Sequence, residues 1–161
     1  MLLNLIGFNI SWFGLVLLGK FFIPFALCWL GLHIYFCKKP LAEVKLIISV
    51  TIMGTMVDSI LLFADVLVFT ENLIIPFWLI TLWASFAATI GHSLKFLAHS
   101  KTLQFIIGFI FPPLSYIGGA SLSAVEFGYN LWVTYFIFAS IWGVLIMLFF
   151  SLKERFYSQE I

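Results

Sequence analysis

The chain has 161 residues, 63% of them hydrophobic and only 9% charged, where a soluble domain carries about a quarter charged residues; water is excluded as its solvent. The length leaves room for one membrane-embedded bundle and no separate soluble domain. A formal net charge of +1 from eight scattered cations excludes a phosphate-binding face, and nucleic acid with it.

A membrane span needs roughly 17 to 25 mostly apolar residues. Six segments qualify, at approximately 2–18, 21–37, 44–64, 73–97, 103–125 and 129–152, followed by a short tail at 153–161. The predicted fold is all-α, a polytopic transmembrane bundle of six helices. The first segment has no basic stretch before it, and Lys20 interrupts before a small-residue cleavage site, so it reads as a retained span and not a secretory signal. Cys28 and Cys37 fall in the second apolar segment without CxxC pairing, and read as small core hydrophobes with no metal-site spacing around them. The joints are short and suit antiparallel neighbours: Gly19 and Lys20; Lys38, Lys39 and Pro40; 65–72; 98–102; and 126–128.

Cations sort by side. Lys38, Lys39, Lys45, Lys95, Lys101, Lys153 and Arg155 share one face of the pattern, and Lys20 stands alone opposite. The excess marks the cytoplasmic side, which places both termini there. Asp65, Glu71 and Glu126 fall on the far side, and Trp78, Tyr129 and Trp132 near span ends as interfacial anchors.

Residues advance about 100° around a helix, so polar stripes reveal the interior face. The third segment gathers Thr51, Gly54, Thr55, Asp58 and Asp65. The fourth gathers Thr81, Ser85, Ala88, Thr89, His92, Lys95 and His99. The fifth gathers Gly108, Pro112, Ser115, Gly119, Ser123 and Glu126, and the first a smaller set with Asn4, Gly7, Ser11 and Gly14. Such stripes are also ordinary packing surfaces between membrane helices, each hydrogen bond adding about 0.6 kcal/mol.

Within those stripes a few residues are costly. Asp58 lies about one turn from the centre of the third span, where an ionised carboxylate costs roughly 2.5 to 3.5 kcal/mol on insertion scales. It must be protonated, hydrogen-bonded, hydrated or paired with a cation, and Thr81, Ser115 and Tyr116 come to a similar depth. Pro112 and Pro113 remove two backbone donors and free the carbonyls of Gly108 and Phe109, so the fifth helix is expected to be kinked or broken there. Nearer the cytoplasmic side, His33, His92, Asn4 and those freed carbonyls form a lower layer, suited either to satisfied core hydrogen bonding or to proton relay and headgroup contact. His92 and His99 are seven residues apart, about 10 Å along the axis, too far to share a metal. No nucleophile elbow, phosphate loop or paired-carboxylate spacing occurs, so no catalytic residue, metal or cofactor is assigned.

Asn4 with Trp12 and Phe13, Gly54 with Asp58 and Ser59, the stretch ATIGHSL at 88–94 and PPLSYIGGASLSAV at 112–125 together resemble the small bacterial inner-membrane proteins grouped as domain of unknown function 2878. The likeness spans nearly the whole chain, with Gly91 standing where an Asn is expected before the His. It implies a multi-pass protein of a Gram-negative inner membrane, with no established activity. Members look to be encoded often near cyclopropane-fatty-acid-synthase-like proteins, which implies lipid modification as a setting.

The leading expectation is an intramembrane binding or transport-like protein for a small solute, ion or lipid, its interior lined by Asp58, Ser115, Tyr116, Thr81 and His92, with Asp58 titrating. The alternative is a non-catalytic accessory or scaffold subunit that meets a lipid-modifying enzyme through Lys38, Lys39, Lys95, Lys101, Lys153 and Arg155. A lipid-active enzyme with His92 as base is a third reading. In each case the bilayer itself is the first partner, and a bundle this small can pair with itself or with another subunit.

Overall fold

The computed structural model describes residues 2–69 and 74–159; Glu71 and the expected start of the fourth span at 73 lie outside them. The described residues form α1 (Leu2–Leu18), α2 (Ile23–Tyr35), α3 (Pro40–Phe63), α4 (Phe77–Ile90), α5 (Lys101–Ser121) and α6 (Leu131–Gln159). Two-residue strands β1 (Leu67–Val68) and β2 (Glu126–Phe127) pair antiparallel, Leu67 opposite Phe127 and Val68 opposite Glu126, tying the α3–α4 connection to the α5–α6 connection.

Among the described residues, four helical stretches are long and apolar enough to cross a membrane: Leu2–Tyr35, Pro40–Phe63, Lys101–Ser121 and Leu131–Gln159. The first is not a straight rod. A 3-10 turn at Gly19–Phe22 separates α1 from α2, with Gly19 at φ +53°, a conformation few other residues adopt without strain. Asn4 then lies beside His33, and a Cβ on Gly7 would overlap Trp29, so the two helices run back along each other as a hairpin. Cys28, expected among the core hydrophobes, is exposed, because α2 turns only Ala26 and Leu30 fully inward.

Six similar spans are therefore not what forms. In place of a helix over 73–97, α4 has 14 residues, about 21 Å at 1.5 Å per residue, and the chain continues through turns into a second 3-10 segment, Lys95–His99. The final helix runs on to Gln159, through most of the expected tail.

Of the kink or break expected in the fifth helix, the break is absent: α5 is continuous from Lys101 to Ser121 with Pro112 and Pro113 inside it. Proline's fixed φ suits a helix, and the penalty is the lost N–H donors. The Tyr135 hydroxyl of α6 donates to one freed carbonyl, Phe109 O, at 3.4 Å. At the other, Gly108 lets the helices close: a Cβ there would sit 2.5 Å from the backbone oxygen of Trp142. Gly108→Leu is expected to force α5 and α6 apart and destabilise the protein by about 1 to 3 kcal/mol, the usual range for overpacking. Unfolding in mixed micelles measures it; an unchanged midpoint would mean the two helices do not meet this closely.

Polarity is arranged inside out. Leu2, Leu3, Phe21, Phe25, Phe63, Phe77 and Trp132 are among many large apolar side chains at the surface. Asn4, Ser11, Glu43, Asp58, Thr81, Ser85, Thr89, Ser93, Gln104 and Thr134 are buried. That inversion suits a hydrocarbon solvent, which accepts apolar surface and penalises unpaired polar groups.

Candidate functional site

Two buried carboxylates organise the interior, and both sit on one stripe of α3. Its buried residues include Glu43, Ile47, Val50, Gly54, Asp58 and Leu61, the three-and-four spacing of a single helix face.

Asp58 is fully buried. Trp83 Nε1 of α4 donates to its Oδ2 at 2.6 Å, and the Tyr116 hydroxyl of α5 donates to its Oδ1 at 2.7 Å. Each oxygen thus holds one donor from a different helix. The indole reaches that position because Gly54, one turn before Asp58, has no side chain to meet it. Trp83 stacks on Trp142 at 4.7 Å between ring centres, and Tyr116 stacks on Phe138 at 4.2 Å. The acid therefore ties α3 to α4 and α5, and the donor rings rest on α6.

Thr81 and Ser115, expected at the same depth, bond elsewhere. Thr81 Oγ1 donates to Phe77 O within α4, and Ser115 Oγ accepts from Trp12 Nε1 at 2.7 Å, linking α5 to α1. Thr51 Oγ1 and Thr55 Oγ1 on α3, and Ser93 Oγ, are buried with no hydrogen-bond partner among the described residues.

The second centre lies at the opposite end of the stripe. The Glu43 side chain is fully buried, and three elements converge on it. His33 Nε2, from α2, is 2.8 Å from Oε1. His92 Nε2, just past α4, is 3.4 Å from the same oxygen. The Tyr157 hydroxyl, near the end of α6, donates to Oε2. The two imidazoles meet edge to face at 4.5 Å, and Cys37 Sγ lies 3.8 Å from His92 Nε2. Gly91 keeps the approach open, since a Cβ there would be 3.0 Å from the Tyr157 hydroxyl and 3.5 Å from Glu43 Oε2.

Asn4 backs this cluster from α1. Its Nδ2 donates to Ala88 O at 3.0 Å, and its Oδ1 accepts from the Ser93 amide at 3.3 Å. Those two backbone partners fix which end of the amide is nitrogen. Nδ2 also lies 3.4 Å from His33 Nδ1, which makes Nδ1 the acceptor and leaves Nε2 to carry the ring proton toward Glu43.

The structure therefore brings Asn4, His33 and His92 together, and places Asp58 with Tyr116. It adds Glu43, Cys37, Tyr157 and Trp83, which sequence reasoning did not select. Glu43 had a legible signal, its place on the Asp58 stripe; the other three had none beyond their residue types. Of the freed carbonyls, Phe109 O takes no part in the His layer and accepts instead from Tyr135 along the α5–α6 contact.

The cations gather at the Glu43 end. Lys39 Nζ donates to Tyr157 O at 3.0 Å, and Lys153 Nζ lies 5.5 Å from the Tyr157 ring centre. Lys38, Lys95, Lys101 and Arg155 are exposed. The paired strands, Gly19 and Trp78 mark the other end.

Residues 1–148 match the family described as "Protein of unknown function (DUF2878)". The chain belongs to that family. The match takes in both carboxylates, the two histidines and the small-residue contacts described above, and ends before Tyr157. No curated protein and no solved structure matches the chain. Family membership therefore assigns no reaction.

Proposed function

We propose that this is a multi-pass protein of the bacterial inner membrane, crossing six times with both termini cytoplasmic, that binds a small polar ligand at the Glu43 cluster. The observation that carries this reading is Glu43 itself: a fully buried carboxylate contacted by His33, His92 and Tyr157. Burying a charge is expensive, and apolar residues of similar volume often serve stability as well or better. A bundle that needed only cohesion could use apolar packing at this end.

Access separates the two acids. Both Asp58 oxygens are occupied and the residue is sealed in the interior, whereas the His92 side chain is 29% exposed and opens the Glu43 cluster to the surface. The ligand-contacting role therefore passes from Asp58 to Glu43, and Asp58 holds the frame. A second reading draws on the exposed cations at the same end, which suit an accessory subunit docking to a lipid-modifying enzyme.

The two readings part in a deletion strain scored on membrane lipid composition, with each variant's level in the membrane checked first. Glu43→Gln and His92→Gln are expected to reach the membrane and fail to complement. Joint replacement of Lys38 and Lys101 by Gln is expected to complement. The reverse pattern would sink the ligand-binding reading and favour a docking face.

A further inference from the structure

We propose that His33, Glu43 and His92 form a binding site for a divalent transition metal of the zinc class. The inference rests on the reading that the Glu43 cluster binds a ligand, and gives that ligand a chemical identity. Sequence spacing offered no such set, because its members come from three segments.

Geometry is the first support. One donor atom from each of the three residues lies within 4.8 Å of the other two. Zn–N and Zn–O bonds of about 2.0 to 2.1 Å in a tetrahedral site put ligand atoms about 3.3 Å apart. The separation of His92 Nε2 from Glu43 Oε1 is 3.4 Å. The His33 to Glu43 separation of 2.8 Å is a hydrogen-bond distance and has to open by about half an ångström to admit an ion.

Chemistry is the second. Two imidazoles with one carboxylate are a set used by zinc, with a fourth position open, and by ferrous iron. Calcium and magnesium prefer all-oxygen surroundings. The nearby Cys37 thiol strengthens the preference for a softer ion. The Tyr157 hydroxyl engages Oε2 and orients the carboxylate so that Oε1 faces both histidines.

The surroundings show how an ion would be received. His33 Nε2 now carries the proton that it gives to Glu43. On metal binding the ring proton resides on Nδ1 instead, and the Asn4 amide turns its oxygen to accept it, the outer hydrogen bond that metal-bound histidines ordinarily make. That turn gives up the Ala88 and Ser93 contacts of Asn4.

The test uses the full chain in detergent micelles, purified on a tag without histidines, stripped with a chelator and titrated with Co2+ and then Zn2+. One Co2+ per chain is expected to give the visible absorption of a four-coordinate site, lost on adding one equivalent of Zn2+. Zn2+ should also raise the unfolding temperature of the wild type. His33→Gln and His92→Gln should each weaken binding by more than about a hundredfold, beyond what loss of a merely supporting residue does, while Cys28→Ala, with its side chain at the exposed surface, binds normally. Unfolding of each metal-free variant establishes that it is folded. Absence of both the absorption and the thermal shift in folded wild type overturns the assignment, as does undiminished binding by both histidine variants.

Failure of this inference and of the functional reading remain distinguishable. If Glu43→Gln and His92→Gln fail to complement but wild type binds neither metal, the ligand-binding role stands and the metal does not. If metal binds as described while both variants complement, the site is real but is not what the protein is used for.

Discussion

Glu43→Ala is expected to destabilise the bundle by several kcal/mol, because it leaves the His33 Nε2–H and the Tyr157 hydroxyl without their acceptor, each at roughly 1 to 3 kcal/mol. The change takes away the acceptor for His33 Nε2 and for the Tyr157 hydroxyl, and the contact of His92, in a single step. Because these groups belong to α2, α6 and the segment after α4, the loss falls on several helix contacts together. Glu43→Gln should do less harm, since one carbonyl oxygen remains to accept. Tyr157→Phe should cost about 1 kcal/mol, one ordinary hydrogen bond. The midpoint of unfolding in mixed micelles, compared across the three variants, reads the order directly. Equal midpoints for Glu43→Ala and wild type would show that this network does not hold the helices together.

Asp58 supplies the second large effect, through different chemistry. Asp58→Leu leaves Trp83 Nε1 and the Tyr116 hydroxyl buried without their acceptor, each at roughly 1 to 3 kcal/mol. Asp58→Asn is the more instructive change. An amide has one acceptor oxygen, and its other end donates, so it can satisfy only one of the two present donors and turns its NH2 toward the other. Since an indole only donates, the introduced amide is expected to keep its oxygen on Trp83 and set its NH2 against Tyr116, whose hydroxyl can rotate to accept. A double-mutant cycle of Asp58→Asn with Tyr116→Phe should then show coupling of about 0.5 to 3 kcal/mol. Additive losses would mean that acid and phenol do not act as a pair. Full complementation by a stable Asp58→Asn variant, beside failure of Glu43→Gln, would support the division of roles between frame and site.

Individual residues show how far the sequence could be read. Asp58 was legible because hydrocarbon makes an acid in mid-span expensive, and its helix face followed from the spacing of Gly54, Thr55 and Asp58. Asn4, His33 and His92 could be grouped by depth, since rise per residue is fixed once span ends are roughly known. The same wheel reaches Glu43 from Asp58 through Gly54, Val50 and Ile47, but a carboxylate at the edge of a span reads equally well as a solvated end residue. Nothing along the chain marks Trp83 out. Its role depends on the neighbouring helix presenting Gly54 at the same height.

The α5 prolines show the limit from the other direction. Losing two backbone donors argues for a break, and intrinsic helix preference agrees. Continuity follows from the neighbour, because Tyr135 restores a donor to Phe109 O and Gly108 allows α6 to lie close. No local pattern in 101–121 carries that information.

The sequence by itself determined that the chain is helical and apolar enough to cross a membrane, which end collects most of its cations and which face of α3 turns inward. These are properties of composition and of a period along one helix. Only the tertiary structure decided which inward face meets which. It set Glu43 against His33, His92 and Tyr157, turned Trp83 onto Asp58, folded α1 and α2 into a hairpin at Gly19, and kept α5 intact. The physical reason is that periodicity fixes direction around one helix axis, whereas partnership depends on where small residues let two helices approach, a property of both helices together.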